Sequence, residues 1–315
     1  MTADQREPLL SIVIVAYNMA REIPRTVLSF LPPYQRQVDA GDIEIIVVEN
    51  GSTHPVDPTV IAQWPANVRY HKASPASVTP ATALNQGAAL ARGKWVCSVI
   101  DGARMASPGI VHKTLRAAKV APEPVICTVG LHIGDQVQQR AVAQGYNQDV
   151  EDKLLEKIDW PENGYKLFEI SCLGGSAGYG WFTAIHESNA ITVRKDYYTA
   201  IGGYDERFDI PGGGLVNLEF FRRCVEDPKT MFVLLLGEGT FHQYHGGVTT
   251  SRPVAEKNEQ DPSRTTWQVY AEQYEKICGR PWATPSVAPL LFGAMESHGK
   301  WFMVRAAERY AAEFG

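Results

Sequence analysis

No stretch of the sequence approaches the roughly 20 consecutive apolar residues that a membrane-crossing helix needs. The run Met231 to Leu236 has only the length of a core strand. Positive charge is not in excess: 30 Lys and Arg stand against 35 Asp and Glu, the formal net charge is −5, and the basic residues are scattered. That excludes the basic footprint of a nucleic-acid binder. Cysteine is sparse, five residues at 97, 127, 172, 224 and 278 with no C-x-x-C. This argues against zinc or a disulfide framework and for buried, reduced thiols in a cytosolic protein. The first residues, MTADQREP, lack the basic-then-apolar order of a signal peptide, so a cytoplasmic location is expected. The chain of 315 residues is long enough to bury a large core.

What the sequence does have is a strand and turn answered by a second about thirty residues later. Ser11 to Asn18 reads SIVIVAYN and Ile43 to Thr53 reads IEIIVVENGST; each β-branched run stops abruptly at turn formers. With a helical pattern between them, such runs predict buried parallel strands of a βαβ unit. Further strands are expected at Val68 to His71, Trp95 to Ile100 and Val125 to Val129. Helices are expected at Ala20 to Phe30, Ala81 to Ala91 and from Ser107-Pro108 to Lys119, an N-cap followed by proline. The β-α-β alternation through residue 130 puts the strand ends on one edge, where open α/β sheets bind ligands.

Beyond it, Gln148 to Trp160 carries a helical stripe, Leu173 to Ile185 reads as a mobile glycine-rich loop, and Asn189 to Arg194 as a strand. Leu215 to Val225 reads as a helix, Met231 to Leu236 as a strand and Gly237 to Pro262 as a long polar loop. Two helices, Thr265 to Ile277 and Gly299 to Phe314, close the chain.

Four segments carry a family resemblance. SIVIVAYNMAREIPRTVLSF with EIIVVENGST resembles the opening of family 2 glycosyltransferases with the GT-A fold, whose strands end in T/A-Y-N and V-V-D-D-G-S. ALNQGAALARGKWVCSVIDGAR, Ala83 to Arg104, resembles the block that leads to a metal-binding D-x-D. NAITVRKDYYTAIGGYDERF, Asn189 to Phe208, resembles the block ending in G-G-F-D-E-x-F and is the most specific of the four. The likeness runs from about Ser11 to His245 and implies an α/β, GT-A type fold with a mostly parallel nucleotide-binding sheet flanked by helices. It implies a catalytic domain over 1–250, with a nucleotide-binding half 1–130 and an acceptor half 131–250, and a helical extension over 251–315. The implied activity is transfer of a sugar, with inversion, from a nucleotide-sugar donor to a glycan or other hydroxyl acceptor in surface-glycan or glycoconjugate assembly.

The resemblance places the nucleotide sugar against Ala16, Tyr17, Asn18, Glu49, Asn50, Asp101, Gly102 and Arg104. For Asn50, a plain turn role beside Gly51 is the alternative. The D-x-D is represented by I-D-G-A-R: Asp101 is the single carboxylate, Gly102 stands where a second is expected, and Arg104 follows. Two readings stand. Asp101 holds Mg²⁺ or Mn²⁺ together with phosphates, water and His242, or His245, of GTFHQYHGG. Alternatively, Arg104 takes over some or all of the ion's work, since a guanidinium forks onto phosphate oxygens. The family's base aspartate is replaced by Asn217, which cannot accept a proton as a base. The candidates for the base are Glu219, then Glu187, then Asp205 or Glu206. An acid in the first turn of a helix, favoured by the dipole, is the alternative for Glu219.

The last helix has an apolar stripe of Trp301, Met303, Val304, Tyr310 and Phe314 beside Arg305 and Arg309. It predicts either a contact with the inner membrane face, a partner helix or a second copy, or packing on the catalytic domain. A catalytically silent nucleotide-sugar or glycan binder is the first rival. A sugar nucleotidyltransferase would want a G-x-G-T-R-like loop after the first strand, and a dehydrogenase G-x-G-x-x-G; AYNMARE is neither.

Overall fold

The β-branched run Leu10–Ala16 forms β1 in the computed structural model, paired in parallel with β2 (Ile43–Glu49) on one side and β4 (Trp95–Val99) on the other, and β3 (Val68–Lys72) adds in parallel beyond β2. The structure describes residues 7–181, 183–247, 257–258 and 261–314, with the side chains of 306, 309, 310, 313 and 314 outside the description. The sequence readings that touch residues 1–6, most of the loop beyond 247, Arg309, Tyr310 and Phe314 lie outside the described residues.

Every residue of β1 and β2 is buried, because helices cover both faces. The pleat sends Val13 and Val15 to one core and Ile12 and Ile14 to the other. On the first face lies α3 (Pro80–Leu90), whose small residues let it sit close; a Cβ on Gly87 would come within 2.3 Å of Val13 Cγ1. On the second lie α1 (Ile23–Ser29) and α4 (Ile110–Ala117). The one-turn α2 (Pro58–Ile61) precedes β3.

The second half of the sheet is built from β6 (Pro124–Ile133), β8 (Ile191–Arg194), β9 (Met231–His242) and β10 (Leu290–Phe292). The order is β10-β9-β6-β8-β4-β1-β2-β3, and along that path β8 alone runs antiparallel to its neighbours. Two short strands attach off this path: β5 (Arg104–Ala106) on β9, and β7 (Ser171–Leu173) on β6, both antiparallel. The remaining helices are α5 (Gln138–Ala141), α6 (Gln148–Lys157), α7 (Lys195–Ala200), α8 (Val216–Val225), α9 (Thr266–Cys278) and α10 (Ser297–Phe314).

Several sequence expectations are corrected here. Gly237 does not end the ninth strand. It takes a positive φ of 74°, and β9 runs on to His242, with a register shift opposite Cys127 and Val129. Glu238 is fully buried in that continuation because Lys113 Nζ lies 2.6 Å away, Tyr165 donates at 2.8 Å and Ser107 also donates. His242 is therefore a strand residue, not a loop residue. The segment 173–185 contains buried Ala177 and Trp181, the latter donating to the Leu235 carbonyl at 3.0 Å. The C-terminal stretch includes β10 and is not wholly helical. In α10, Phe302 turns inward onto Phe168, while Trp301 and Val304 of the expected apolar stripe are exposed. No helix among the described residues is long and apolar enough to cross a membrane.

Candidate active site

The strand directions bring the C-terminal ends of β1, β2, β4, β6 and β9 to one edge. Asp101 follows β4 there. In the β5–β9 ladder Arg104 lies opposite His242, and in the β6–β9 ladder His132 lies opposite His242. Three strands thus set Arg104, His242 and His132 side by side, with Asp101 and His245 closing the group.

Asp101 Oδ1 accepts the Ala103 N–H at 3.0 Å, a local turn that aims Oδ2 at the histidines. Oδ2 lies 2.8 Å from His242 Nε2 and 3.6 Å from His245 Nε2, and the two Nε2 atoms are 3.2 Å apart. One ligand atom from each of the three residues falls within 4.8 Å of the others. Burial alone would raise the Asp101 carboxyl, but His245 and then His242 hold it well below the usual carboxylate range. Burial, with Arg104 nearby, lowers His242 to about 4, so its imidazole is neutral at pH 7. His245 also loses by burial, yet the Asp101 carboxylate raises it overall.

Two residues beyond Asp101, the spacing of a D-x-D, stands the buried Ala103, and Gly102 between them is closely packed. A Cβ at Gly102 would meet the Val15 carbonyl oxygen at 2.5 Å and Ile23 Cδ1 at 2.6 Å. Arg104 is buried, and its side chain makes no hydrogen bond among the described residues; its Nε is shut away from solvent without a partner, 3.8 Å from Asp101 Oδ2. Burial lowers its pKa, opposed by Asp101 and Glu187. A buried guanidinium with unused donors invites an anion.

At the β1 and β2 ends, Tyr17 is 53% exposed, whereas its neighbours are tied down. The Ala16 carbonyl accepts the Asn50 N–H at 2.8 Å. Asn18, with φ 54°, accepts from the His54 N–H at 3.0 Å and from Thr53 Oγ1 at 3.1 Å. The Asn50 amide donates to the carbonyls of Ser77 and Thr79 and accepts from the Ser77 N–H. Glu49 accepts from Ser52, Tyr70 and the Val56 N–H. Asn50 and Glu49 therefore hold the strand ends together, and their side chains are already engaged.

The carboxylates considered as bases divide sharply. Both Glu219 oxygens are held by Arg223, at 2.7 and 3.0 Å, and Arg223 also caps the Ile201 and Gly203 carbonyls. Asp205 pairs with Arg207, and Glu206 accepts from Thr82 and Asn85. Glu187 accepts one bond, from Asn217 Nδ2 at 2.6 Å, and its Oε1 makes none among the described residues. Ser188 anchors this segment, accepting from the Thr128 N–H at 3.0 Å. Two site residues escaped the sequence reading: His132, which lies three residues past the expected strand end at Val129 because β6 runs on to Ile133, and Gln138, which carried no signal. An interior void lined by Leu10, Ile12, Phe30, Cys97 and Thr192 lies in the apolar core and takes no part.

Beside the site, Glu151 is fully buried against Tyr146, the Tyr244 N–H and Arg21, which also contacts Glu22 and Asp152. Burial pushes its carboxyl from the ordinary 4.5 to about 7 against those partners. Between these values the folded chain holds a proton that the unfolded chain has lost, so this group's contribution to stability falls as pH rises. Glu151→Gln is expected to gain stability relative to wild type between pH 5 and 8. Parallel denaturant titrations check this; a difference that is flat or falls with pH contradicts it.

The fold and the edge cluster define an α/β enzyme-like scaffold of GT-A type. The model of glycosyl transferase family 2 matches residues 11–175, just over half of the chain, and the chain belongs to that family. Comparison with curated proteins gave no match. Among solved structures the chain is similar to TarS of S. aureus, with a TM-score of 0.50, 11% identity, and coverage of 75% of this chain and 36% of that one. It is also similar to residues 1–349 of S. aureus TarS in complex with UDP-GlcNAc, with a TM-score of 0.50, 12% identity, and coverage of 96% and 72%. The chain thus spans little more than a third of the full TarS chain's length.

Proposed function

We propose that this chain transfers a sugar from a nucleoside-diphosphate sugar to a hydroxyl acceptor, with the diphosphate seated on the Asp101–His242–His245 cluster. One observation carries this reading: a carboxylate oxygen and two imidazole nitrogens converge beside a buried guanidinium that makes no hydrogen bond among the described residues, at the strand-end edge of the sheet. The donor set, one carboxylate and two imidazoles, fits a divalent transition ion such as Mn²⁺ better than Mg²⁺, which favours oxygen. When bound, such an ion supplies positive charge to the leaving diphosphate. Arg104 adds charge from the protein's own side, aimed by β5 and free of competing hydrogen bonds. Tyr17 offers its exposed ring to the nucleobase.

In this reading Glu187 takes the proton of the acceptor hydroxyl. Asn217 fixes one of its oxygens and leaves the other for the proton, so the asparagine in the family's base position keeps a positioning role. In-line attack aided by such a base gives inversion. Glu219, bound to Arg223, supports the turn that carries Gly203. The setting we propose is surface-glycan or glycoconjugate assembly on the cytoplasmic side. The second reading, a silent binder, is favoured by the absence of a second carboxylate beside Asp101 in I-D-G-A-R.

The test is incubation with Mn²⁺ and a panel of UDP-, GDP-, TDP- and CMP-sugars, following melting temperature and donor hydrolysis. One diphosphate donor class is expected to raise the melting temperature by mass action and to be hydrolysed, with EDTA suppressing both. Tyr17→Ala is expected to weaken that nucleotide several-fold and leave the fold intact. Stabilisation without hydrolysis would favour the binder, and indifference to every donor would contradict the donor class.

A further inference from the structure

Gln138 opens α5, just beyond the end of β6, and is buried to 1% exposure. Its side-chain amide makes two contacts to one residue. Nε2 donates to the His242 carbonyl at 3.0 Å, and Oε1 lies 2.6 Å from His242 Nδ1. The first contact fixes the second. A carbonyl oxygen can only accept, so the amide nitrogen must face it, and the amide oxygen must then face Nδ1. An amide oxygen also only accepts, so Nδ1 carries the ring proton. An imidazole that ligates a cation keeps one N–H, and with that proton on Nδ1 the nitrogen left to ligate is Nε2. That nitrogen lies 2.8 Å from Asp101 Oδ2 and 3.2 Å from His245 Nε2, so the three atoms converge where a cation would bind.

We propose that Gln138 is a positioning residue for the ion site: its amide locks His242 in the Nδ1–H tautomer and so presents Nε2 as a ligand. This rests on the ion site proposed above. Without the amide, the ring proton can move to Nε2 and donate to Asp101 Oδ2, and an Nε2 that carries a proton cannot coordinate. Outer hydrogen bonds of this kind typically change metal affinity by roughly ten- to a hundredfold. The neighbouring histidine supplies an internal control. His132 Nδ1 accepts the backbone N–H of Gln138 at 3.1 Å, a contact that side-chain substitution leaves in place.

The experiment pairs ¹⁵N-histidine NMR of the metal-free protein with calorimetric titration of Mn²⁺, in wild type, Gln138→Met and Gln138→Glu. Wild type is expected to show His242 protonated at Nδ1 and to bind Mn²⁺. Gln138→Met should move the His242 proton to Nε2, leave the His132 tautomer unchanged, and weaken Mn²⁺ about ten- to a hundredfold. Gln138→Glu keeps an acceptor against Nδ1 and should keep the wild-type tautomer; it carries the test if the methionine variant does not fold. A wild-type His242 protonated at Nε2, a glutamate variant that loses the Nδ1–H form, or a folded methionine variant with wild-type Mn²⁺ affinity would overturn the role of Gln138. Failure of wild type itself to bind Mn²⁺, with His242 still protonated at Nδ1, would instead overturn the ion site.

Discussion

Asp101→Asn is expected to lower sugar transfer by at least about a hundredfold, the scale of losing a preorganised electrostatic group, while the protein stays folded. The substitution is close to isosteric. Its side-chain oxygen can still accept the Ala103 N–H, and its amide nitrogen can donate to Nε2 of His242. What disappears is the one negative charge in the cluster, and with it the strongest ligand for a cation. Turnover at saturating donor, with a melting curve as the control for folding, checks the expectation. Full activity in the variant would mean that the cluster has no part in the reaction.

Glu187→Gln should reduce the maximal rate by roughly 10²–10⁴, the range of general-base contributions, with donor affinity little changed. Glutamine keeps the partner of Asn217 but cannot take a proton. Glu219→Gln should behave in the opposite way. It releases Arg223 from a two-pronged pair and so lowers stability, while the rate of the chemical step in the folded fraction is retained. Steady-state kinetics and denaturant titrations on both variants separate the assignments. A large rate loss in Glu219→Gln together with a normal rate in Glu187→Gln would reverse them.

The half of the sheet around β1 was legible because β1 and β2 are β-branched runs that stop at Tyr17-Asn18 and Asn50-Gly51, a pattern readable from local sequence. The strand-end positions of Tyr17 and Asp101 followed from it. The other half was less readable because non-local contacts shape it. β5 is three residues inside what looks like a turn, and it exists because β9 offers an edge. β9 passes through Gly237-Glu238-Gly239, which reads as a turn until Ser107, Tyr165 and Lys113 are seen to satisfy the buried glutamate. The histidine cluster shared that fate: His242 and His245 were visible as residue types, but their convergence on Asp101 depends on that strand continuing. Asn50 and Glu49 show the converse. Their positions were legible, and their engagement with the 77–79 backbone and Tyr70 was not, since those partners lie 21 to 29 residues away in the chain.

The account turns on whether a cation sits among Asp101, His242 and His245. Anomalous scattering from crystals grown with Mn²⁺ and a nucleoside diphosphate tests this most directly. The account predicts a peak within bonding distance of Asp101 Oδ2, His242 Nε2 and His245 Nε2, beside the bound diphosphate. A diphosphate bound at this edge with no anomalous peak among the three residues would contradict it.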